Sequence, residues 1–220
     1  VIEFTGNPRT GKTTLINNLY DFFKKGKFNT KVLEEFTTSQ RYKKEIYPKL
    51  KDDYKNIINT EIPKYVLEDL DNEINKNNDI ILIDRSLFDR MIWMDRLYNK
   101  NGVTKEEYDN YIDEYIPIIK NKIDIIIGLY TDSLTSLRRD YTANASLEKR
   151  TFLNEGNINE YNDSLMNIKE LSNKENINFY LFDTTNKSER DISFEILDTI
   201  LTDMRSKYIS ILNETFNKWL

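Results

Sequence analysis

The sequence predicts an α/β domain of three layers, with a five-stranded parallel sheet held between two layers of helices. Two features of its 220 residues carry that expectation. Short apolar runs rich in Val, Ile and Phe alternate with segments whose apolar residues recur at helical spacing. A strand followed by a helix, repeated, builds a parallel sheet because each crossover carries the chain back to the same end. The first run also passes straight into a glycine-bearing turn and then an amphipathic helix. No repeat, linker or low-complexity tract divides the chain, so residues 1–220 read as one domain with loops at 99–104 and 154–159.

The runs are Val1 to Phe4, Lys31 to Phe36, Ile80 to Ile83, Ile123 to Leu129 and Ile177 to Phe182, continuous enough to be buried strands. After the first, Leu15, Leu19, Phe22 and Phe23 share helical spacing. Before the third, Tyr54, Ile57, Ile58, Ile62, Val66, Leu70 and Ile74 do the same, and Pro63 predicts a kink or two helices between residues 52 and 77. Thr104 and Glu107 form a capping box ahead of Tyr108, Ile112, Tyr115 and Ile116, and Pro117 predicts a kink or an end to that helix. Ser188 and Asp191 open the last helix, which carries Ile192, Ile196, Ile200 and Met204, then Tyr208, Ile211, Leu212, Phe216 and Leu220. Its final turns are expected on the chain's own sheet or against a second copy in a homodimer.

Composition excludes whole chemistries. With no Cys and no His, there is no disulfide scaffold, thiolate nucleophile, Ser-His-Asp triad or zinc site of the usual kind. Proton transfer falls to carboxylates, Lys or Tyr. A net charge of −5 argues against a dedicated nucleic-acid surface, though not against a local phosphate site. The longest apolar runs fall well short of the roughly 18 residues a membrane span needs. The VIEF start has no charged leader before an apolar stretch, so a soluble, cytoplasmic protein without membrane contact is expected.

Gly6-Asn7-Pro8-Arg9-Thr10-Gly11-Lys12-Thr13 matches G-x-x-x-x-G-K-[ST] between a strand and a helix entered at Thr14. Gly6 and Gly11 permit a backbone whose N–H groups converge on phosphate oxygens at the positive end of the helix. Lys12 is placed to reach the β- and γ-phosphates, and Thr13 to offer its hydroxyl to Mg²⁺. A nucleoside triphosphate and the P-loop NTPase fold are therefore expected, but the loop does not say what happens to the phosphate. The third run ends in Asp84-Arg85-Ser86, at the strand end where open α/β sheets place ligands. Asp84 can hold the magnesium shell through a water. Arg85 puts a fork-shaped cation where a second phosphate or an acceptor oxygen would sit.

With Gly6 to Thr14 and Asp84 to Ser86 together, the chain resembles the thymidylate kinase and deoxynucleoside kinase group of P-loop kinases over most of its length. The resemblance implies ATP and Mg²⁺, a Glu near the acceptor at the end of the second strand, and an Arg-bearing lid after the fourth. Glu35 matches that Glu, with Phe36 where the group has Pro, and Glu34 is the neighbouring alternative. A carboxylate near an acceptor hydroxyl can take its proton, whereas a phosphate acceptor needs no base and would leave Glu35 to orient a sugar hydroxyl. The lid is expected over about 133–156, where TDSLTSLRRD carries adjacent Arg138 and Arg139 pointing to different helix faces. The group often has further lid arginines within a few residues; here the next is Arg150. Arg9 stands where eukaryotic-type thymidylate kinases carry an Arg that they use on the phosphates.

Acceptor-side helices are expected at about 39–77 and 86–121. Gln40, the chain's single Gln, can read a base edge, and Arg41 beside it can hold an acceptor phosphate. Phe88, Trp93, Tyr65 and Tyr161 are candidates for a stacking face or for the core. Tyr161, in NEYNDSL, resembles a Tyr that approaches sugar and base in thymidylate kinases. The loop Asp183-Thr184-Thr185-Asn186 is expected to flank the adenine ring, with Asp183 and Thr185 as contacts.

These residues imply transfer of the γ-phosphoryl group of ATP to a nucleoside monophosphate or a deoxynucleoside. Two alternatives are a kinase of another small molecule, such as ribosylnicotinamide, and a regulatory P-loop NTPase. Asn186-Lys187-Ser188-Glu189 approaches the guanine-reading N-K-x-D pattern, but Glu replaces Asp, and Asp84 is followed by Arg85 rather than by a switch segment. A kinase of nucleic-acid ends would want a basic, aromatic-lined channel, which no stripe here supplies.

Overall fold

A computed structural model of the chain describes residues 1–51, 57–143 and 154–217. Its strands are β1 (Ile2–Gly6), β2 (Thr30–Leu33), β3 (Ile80–Asp84), β4 (Ile125–Tyr130) and β5 (Phe179–Asp183). They pair in parallel in the order β2-β3-β1-β4-β5. Every expected run contains a strand, with shifted ends. β4 and β5 start two residues later than their apolar runs because the Ile123 and Ile177 N–H groups bond back to Ile119 and Ser172 at helix ends. β2 stops at Leu33, short of both glutamates.

The helices are α1 (Lys12–Lys25), α2 (Ile62–Ile74), α3 (Leu87–Asn99), α4 (Lys105–Lys122), α5 (Ser133–Ala143), α6 (Glu155–Glu175) and α7 (Glu189–Asn217). One face of the sheet, through Phe4, Leu82 and Ile127, packs under α1 and α7. The opposite face receives α3, α4 and α6, with Leu70 of α2 against Ile81 and Ile83. Leu15, Leu19 and Phe23 of α1 are buried, while Phe22 turns outward.

Among its described residues, the segment expected as acceptor-side helix over about 39–77, kinked or divided at Pro63, is a series of short turns followed by α2. Residues Phe36–Thr38 and Tyr47–Lys49 form 3₁₀ turns, and Tyr42–Ile46 and Ile57–Glu61 wider π turns. Pro63 sits in the first turn of α2, where its missing N–H has no helical partner to lose, so it starts a helix rather than kinking one. Tyr54 lies outside the described residues. Helix α4 runs on through Pro117. Pro117 and Asp113 both face solvent, where water can satisfy the carbonyl that the proline deprives of its partner. The Thr104 capping box forms as expected, with bonds of 3.1 and 2.7 Å. Ser188 Oγ likewise accepts the Asp191 amide at 3.1 Å.

On α7, Ile192, Ile196 and Ile200 are buried, whereas Tyr208 and Ile209 are exposed. The side chains of Ile211, Leu212 and Phe216, and all of Leu220, lie outside what is described. Among the described residues no helix is long and apolar enough to cross a membrane.

The strand order puts the site where it is. From β1 the chain leaves through α1 to β2 on one side, and from β3 it crosses over β1 to reach β4 on the other. That reversal opens a crevice at the carboxyl end of β1, where Phe4 pairs with Asp84 and Gly6 with Leu129.

Candidate active site

The loop from Gly6 to Thr13 fills this crevice. Gly6 has φ +144°, and a Cβ there would lie 2.1 Å from the Leu129 carbonyl oxygen, so both conformation and space demand glycine. Gly11, with φ +94° and open space beside it, turns the chain into α1. Arg9 also has positive φ, at +65°. Ser136 Oγ donates to the Pro8 carbonyl at 2.9 Å and Asn7 Nδ2 to Asn162 Oδ1 at 2.8 Å, fastening the loop to its surroundings, while Thr10 Oγ donates to the Asn7 carbonyl at 3.0 Å within it.

Lys12 Nζ is buried and donates to the Gly6 and Asn7 carbonyls at 2.8 and 3.0 Å. Burial, then the nearby Arg85 cation, pull its pKa down to about 7. The ammonium is thus gathered inside the loop on neutral acceptors, poorly solvated, which favours an incoming anion. Thr13 Oγ donates to Asp84 Oδ2 at 3.3 Å, bringing the two expected metal-shell residues together. Asp84 Oδ1 is buried without a protein partner among the described residues, and burial raises the Asp84 pKa. A hydroxyl beside an oxygen-only carboxylate with an unused lone pair suits a hard cation such as Mg²⁺.

Arg85, in left-handed backbone at φ +57°, donates from Nη1 to Glu35 Oε2 at 3.0 Å and from Nη2 to the Gly6 carbonyl at 2.9 Å. Thr37 Oγ donates to the other Glu35 oxygen at 2.5 Å. Of the two glutamates, Glu35 is joined to the phosphate loop through Arg85, whereas Glu34 is exposed. Lys12, Thr13, Glu35, Asp84 and Arg85 converge on one crevice.

Beside them, a cavity of about 340 Å³ is lined by Arg9, Gly11, Thr14, Arg139, Thr184 and Lys187 among others. Arg139 spans it, donating to the Arg9 carbonyl at 3.3 Å and the Thr184 carbonyl at 2.6 Å. The neighbouring Arg138 is exposed. Arg9 bonds to Asp140 through Nε and Nη2, each at 2.7 Å. The two adjacent arginines thus part, Arg139 to the cavity beside the fifth strand and Arg138 to solvent. Arg150 and the middle of the expected lid lie outside the described residues.

Several expected positions differ. Asp183 and Thr185 do not line the cavity; they brace the loop, with Thr185 N donating to Asp183 Oδ1 at 2.8 Å, and Thr184 and Lys187 face inward instead. Lys187 is itself paired with Glu195. Phe88 is fully buried, with its ring 4.8 Å from that of Phe179, and so packs the core and offers no stacking face. Tyr161 is 2% exposed and its hydroxyl is bound within the protein. The Arg41 guanidinium meets Glu68 and Asp69 at 2.6 and 2.8 Å and lies 4.4 Å over the Tyr65 ring, while Gln40 is exposed.

Two polar residues of consequence went unread in the sequence. Glu3, wholly buried on β1, accepts the amides of Ser86 at 2.7 Å, Phe88 at 3.2 Å and Asp89 at 3.0 Å, fixing the turn that carries Arg85. Asp89, also buried, lies 3.6 Å from Arg85 Nε. A lone acid inside the apolar run VIEF was the available signal for Glu3.

Residues 1–173 match a family described as an AAA domain, AAA_28. The chain belongs to that family. No curated protein matches the chain in sequence. Solved structures of deoxyadenosine kinase from M. mycoides share its fold, each covering 91% of this chain and 98% of that one. The form with bound dCTP has TM-score 0.62 at 19% identity. The form with products dCMP and a flexible dCDP has 0.62 at 20%, and the form with bound dATP 0.61 at 22%. This AAA-domain chain thus has a five-stranded parallel sheet flanked by helices, a fold it shares with the deoxyadenosine kinase structures.

Proposed function

We propose that the chain is an Mg-ATP-dependent kinase that transfers the γ-phosphoryl group to a hydroxyl of a deoxynucleoside. The observation carrying this reading is the Glu35–Arg85 pair, 3.0 Å apart and joined to the phosphate loop through the Gly6 carbonyl. A carboxylate held there suits an acceptor that must lose a proton. The engagement of Arg41 by Glu68 and Asp69 favours an acceptor without a phosphate over a monophosphate.

In the proposed reaction the acceptor oxygen attacks the γ-phosphorus, its proton passes to Glu35, and the bond from the γ-phosphorus to the β–γ bridging oxygen breaks to release ADP. Arg85 orients Glu35 and the acceptor oxygen. Lys12 leaves its carbonyl partners for the β- and γ-phosphates, and Arg138, exposed on α5, is the lid cation assigned to the transferring group. Thr13 and Asp84 would hold Mg²⁺, which neutralises phosphate charge when bound. Thr184, Lys187 and Arg139 border the cavity assigned to the ATP base and ribose.

Incubation with Mg-ATP and a panel of deoxynucleosides, their monophosphates and ribosylnicotinamide tests this, scored by phosphorylated product. Product from a deoxynucleoside supports it. Product from monophosphates alone moves the reading to a nucleotide kinase, and free phosphate without any phosphorylated acceptor favours a regulatory NTPase.

A further inference from the structure

A connected set of buried polar groups runs behind Arg85 and reaches the Gly6 amide at the start of the phosphate loop. Tyr161 Oη, on α6, donates to Asp89 Oδ1 at 2.6 Å and accepts the Gly6 amide at 3.1 Å. Thr5 Oγ donates to the same Asp89 oxygen at 2.7 Å and lies 2.9 Å from Tyr161 Oη. Asp89 in turn faces Arg85 Nε at 3.6 Å, and Arg85 holds Glu35. Asp89 and Tyr161 are 0% and 2% exposed. Both are enclosed by protein.

We infer that Tyr161 and Asp89 are positioning residues that act through Arg85 to set where the Glu35 carboxylate stands. Arg85 is shared between two carboxylates, and its two ends are engaged differently. Its Nη groups serve Glu35 and the Gly6 carbonyl, and its Nε edge is turned to Asp89. The Tyr161 and Thr5 hydroxyls share the Asp89 charge and limit how strongly it draws the guanidinium. Removing either hydroxyl concentrates the carboxylate on Arg85 and pulls the fork away from Glu35. Removing the Asp89 charge frees the fork to turn. The same Tyr161 oxygen anchors the Gly6 amide, so one group ties α6 to both halves of the crevice. Burial beside Asp89 keeps Tyr161 protonated, with its pKa well above the ordinary tyrosine value, and hence a donor. This inference rests on the kinase reading for its kinetic consequence, although the positional claim is independent of it.

Tyr161→Phe removes only the hydroxyl and leaves the ring edge-on to Trp93, 6.0 Å between centroids. The expected result is a kcat at least about tenfold lower with KM for ATP within about twofold. Introduced into Glu35→Gln, the same change should cost less than about twofold, because its route of action is gone. Asp89→Asn should behave alike in both backgrounds. Losses that multiply independently, or that fall on KM for ATP, would overturn the inference by making the network a general support of the fold. A readout without substrate accompanies this: the Arg85 Nε–H resonance in ¹⁵N spectra, assigned by its loss in Arg85→Lys. It should move in Tyr161→Phe and in Asp89→Asn, the second variant serving if the first fails to fold. An unmoved resonance sinks the relay. A moved resonance in a protein that phosphorylates no acceptor leaves the relay standing and removes the kinase reading.

Discussion

Lys12 shows most directly how single residues here trade solvation for function. Its ammonium lies buried on two carbonyls, with its pKa lowered to about 7, a state that a triphosphate would relieve. Lys12→Ala should therefore keep the fold and lower phosphoryl transfer by on the order of 10³-fold, measured as product formed under saturating ATP. Retained turnover would take the loop out of the reaction. Glu3 is the complementary case. Burial pushes its pKa up from 4.5 to about 7 against the opposing pull of three amides. A raised carboxyl pKa contributes stability that is full below about 4.5 and is lost as pH rises through about 7. Urea unfolding at several pH values should show wild type losing a few kcal/mol relative to Glu3→Gln between pH 5 and 8. Parallel curves would mean that Glu3 titrates as an ordinary exposed acid.

Among the elements, α4 gives the cleanest separation of stability from function. Its capping box is complete and exposed, and neither Thr104 nor Glu107 lines the cavity beside the phosphate loop. Thr104→Ala should lower unfolding free energy by about 1 kcal/mol in a denaturant titration, with kcat unchanged. The strands and long helices were legible because their signals are local: apolar runs for β1 to β5, the Thr104 box, the Ser188 start. In the segment leading to α2 the spacing of Ile62, Val66 and Leu70 is that of α2 itself, whereas Ile57 and Ile58, which continue the same spacing, fall in a π turn. Spacing alone cannot distinguish that from one continuous helix. Pro117 does not end α4 for a related reason, since whether a proline ends a helix depends on whether the freed carbonyl can meet water.

At the scale of the molecule, the crevice is assembled from parts that meet only through the strand order. Arg139 is the clearest product of that assembly, reaching from α5 to the Arg9 carbonyl and to Thr184 after β5. Arg139→Ala should weaken ATP binding roughly tenfold, as loss of charged hydrogen bonds to two elements implies, with a smaller effect on kcat. Arg138→Ala should do the reverse, lowering kcat by on the order of 10²-fold at nearly constant ATP affinity. Equilibrium binding of a fluorescent ATP analogue beside steady-state kinetics separates the two, and identical profiles would deny the division of labour between the adjacent arginines.

The G-x-x-x-x-G-K-T loop, the strand-end Asp84-Arg85 and the alternation of strand and helix were determined by sequence alone, because each depends on residues close together in the chain. Tertiary structure decided the rest. Glu35 rather than Glu34 pairs with an arginine 50 positions away, and Phe88 and Tyr161 turned inward because α3 and α6 close over that face of the sheet. Asp89 and Glu3 acquired their roles from partners on other elements. A side chain's charge state and direction follow from what surrounds it in space, and that is the information a linear pattern lacks.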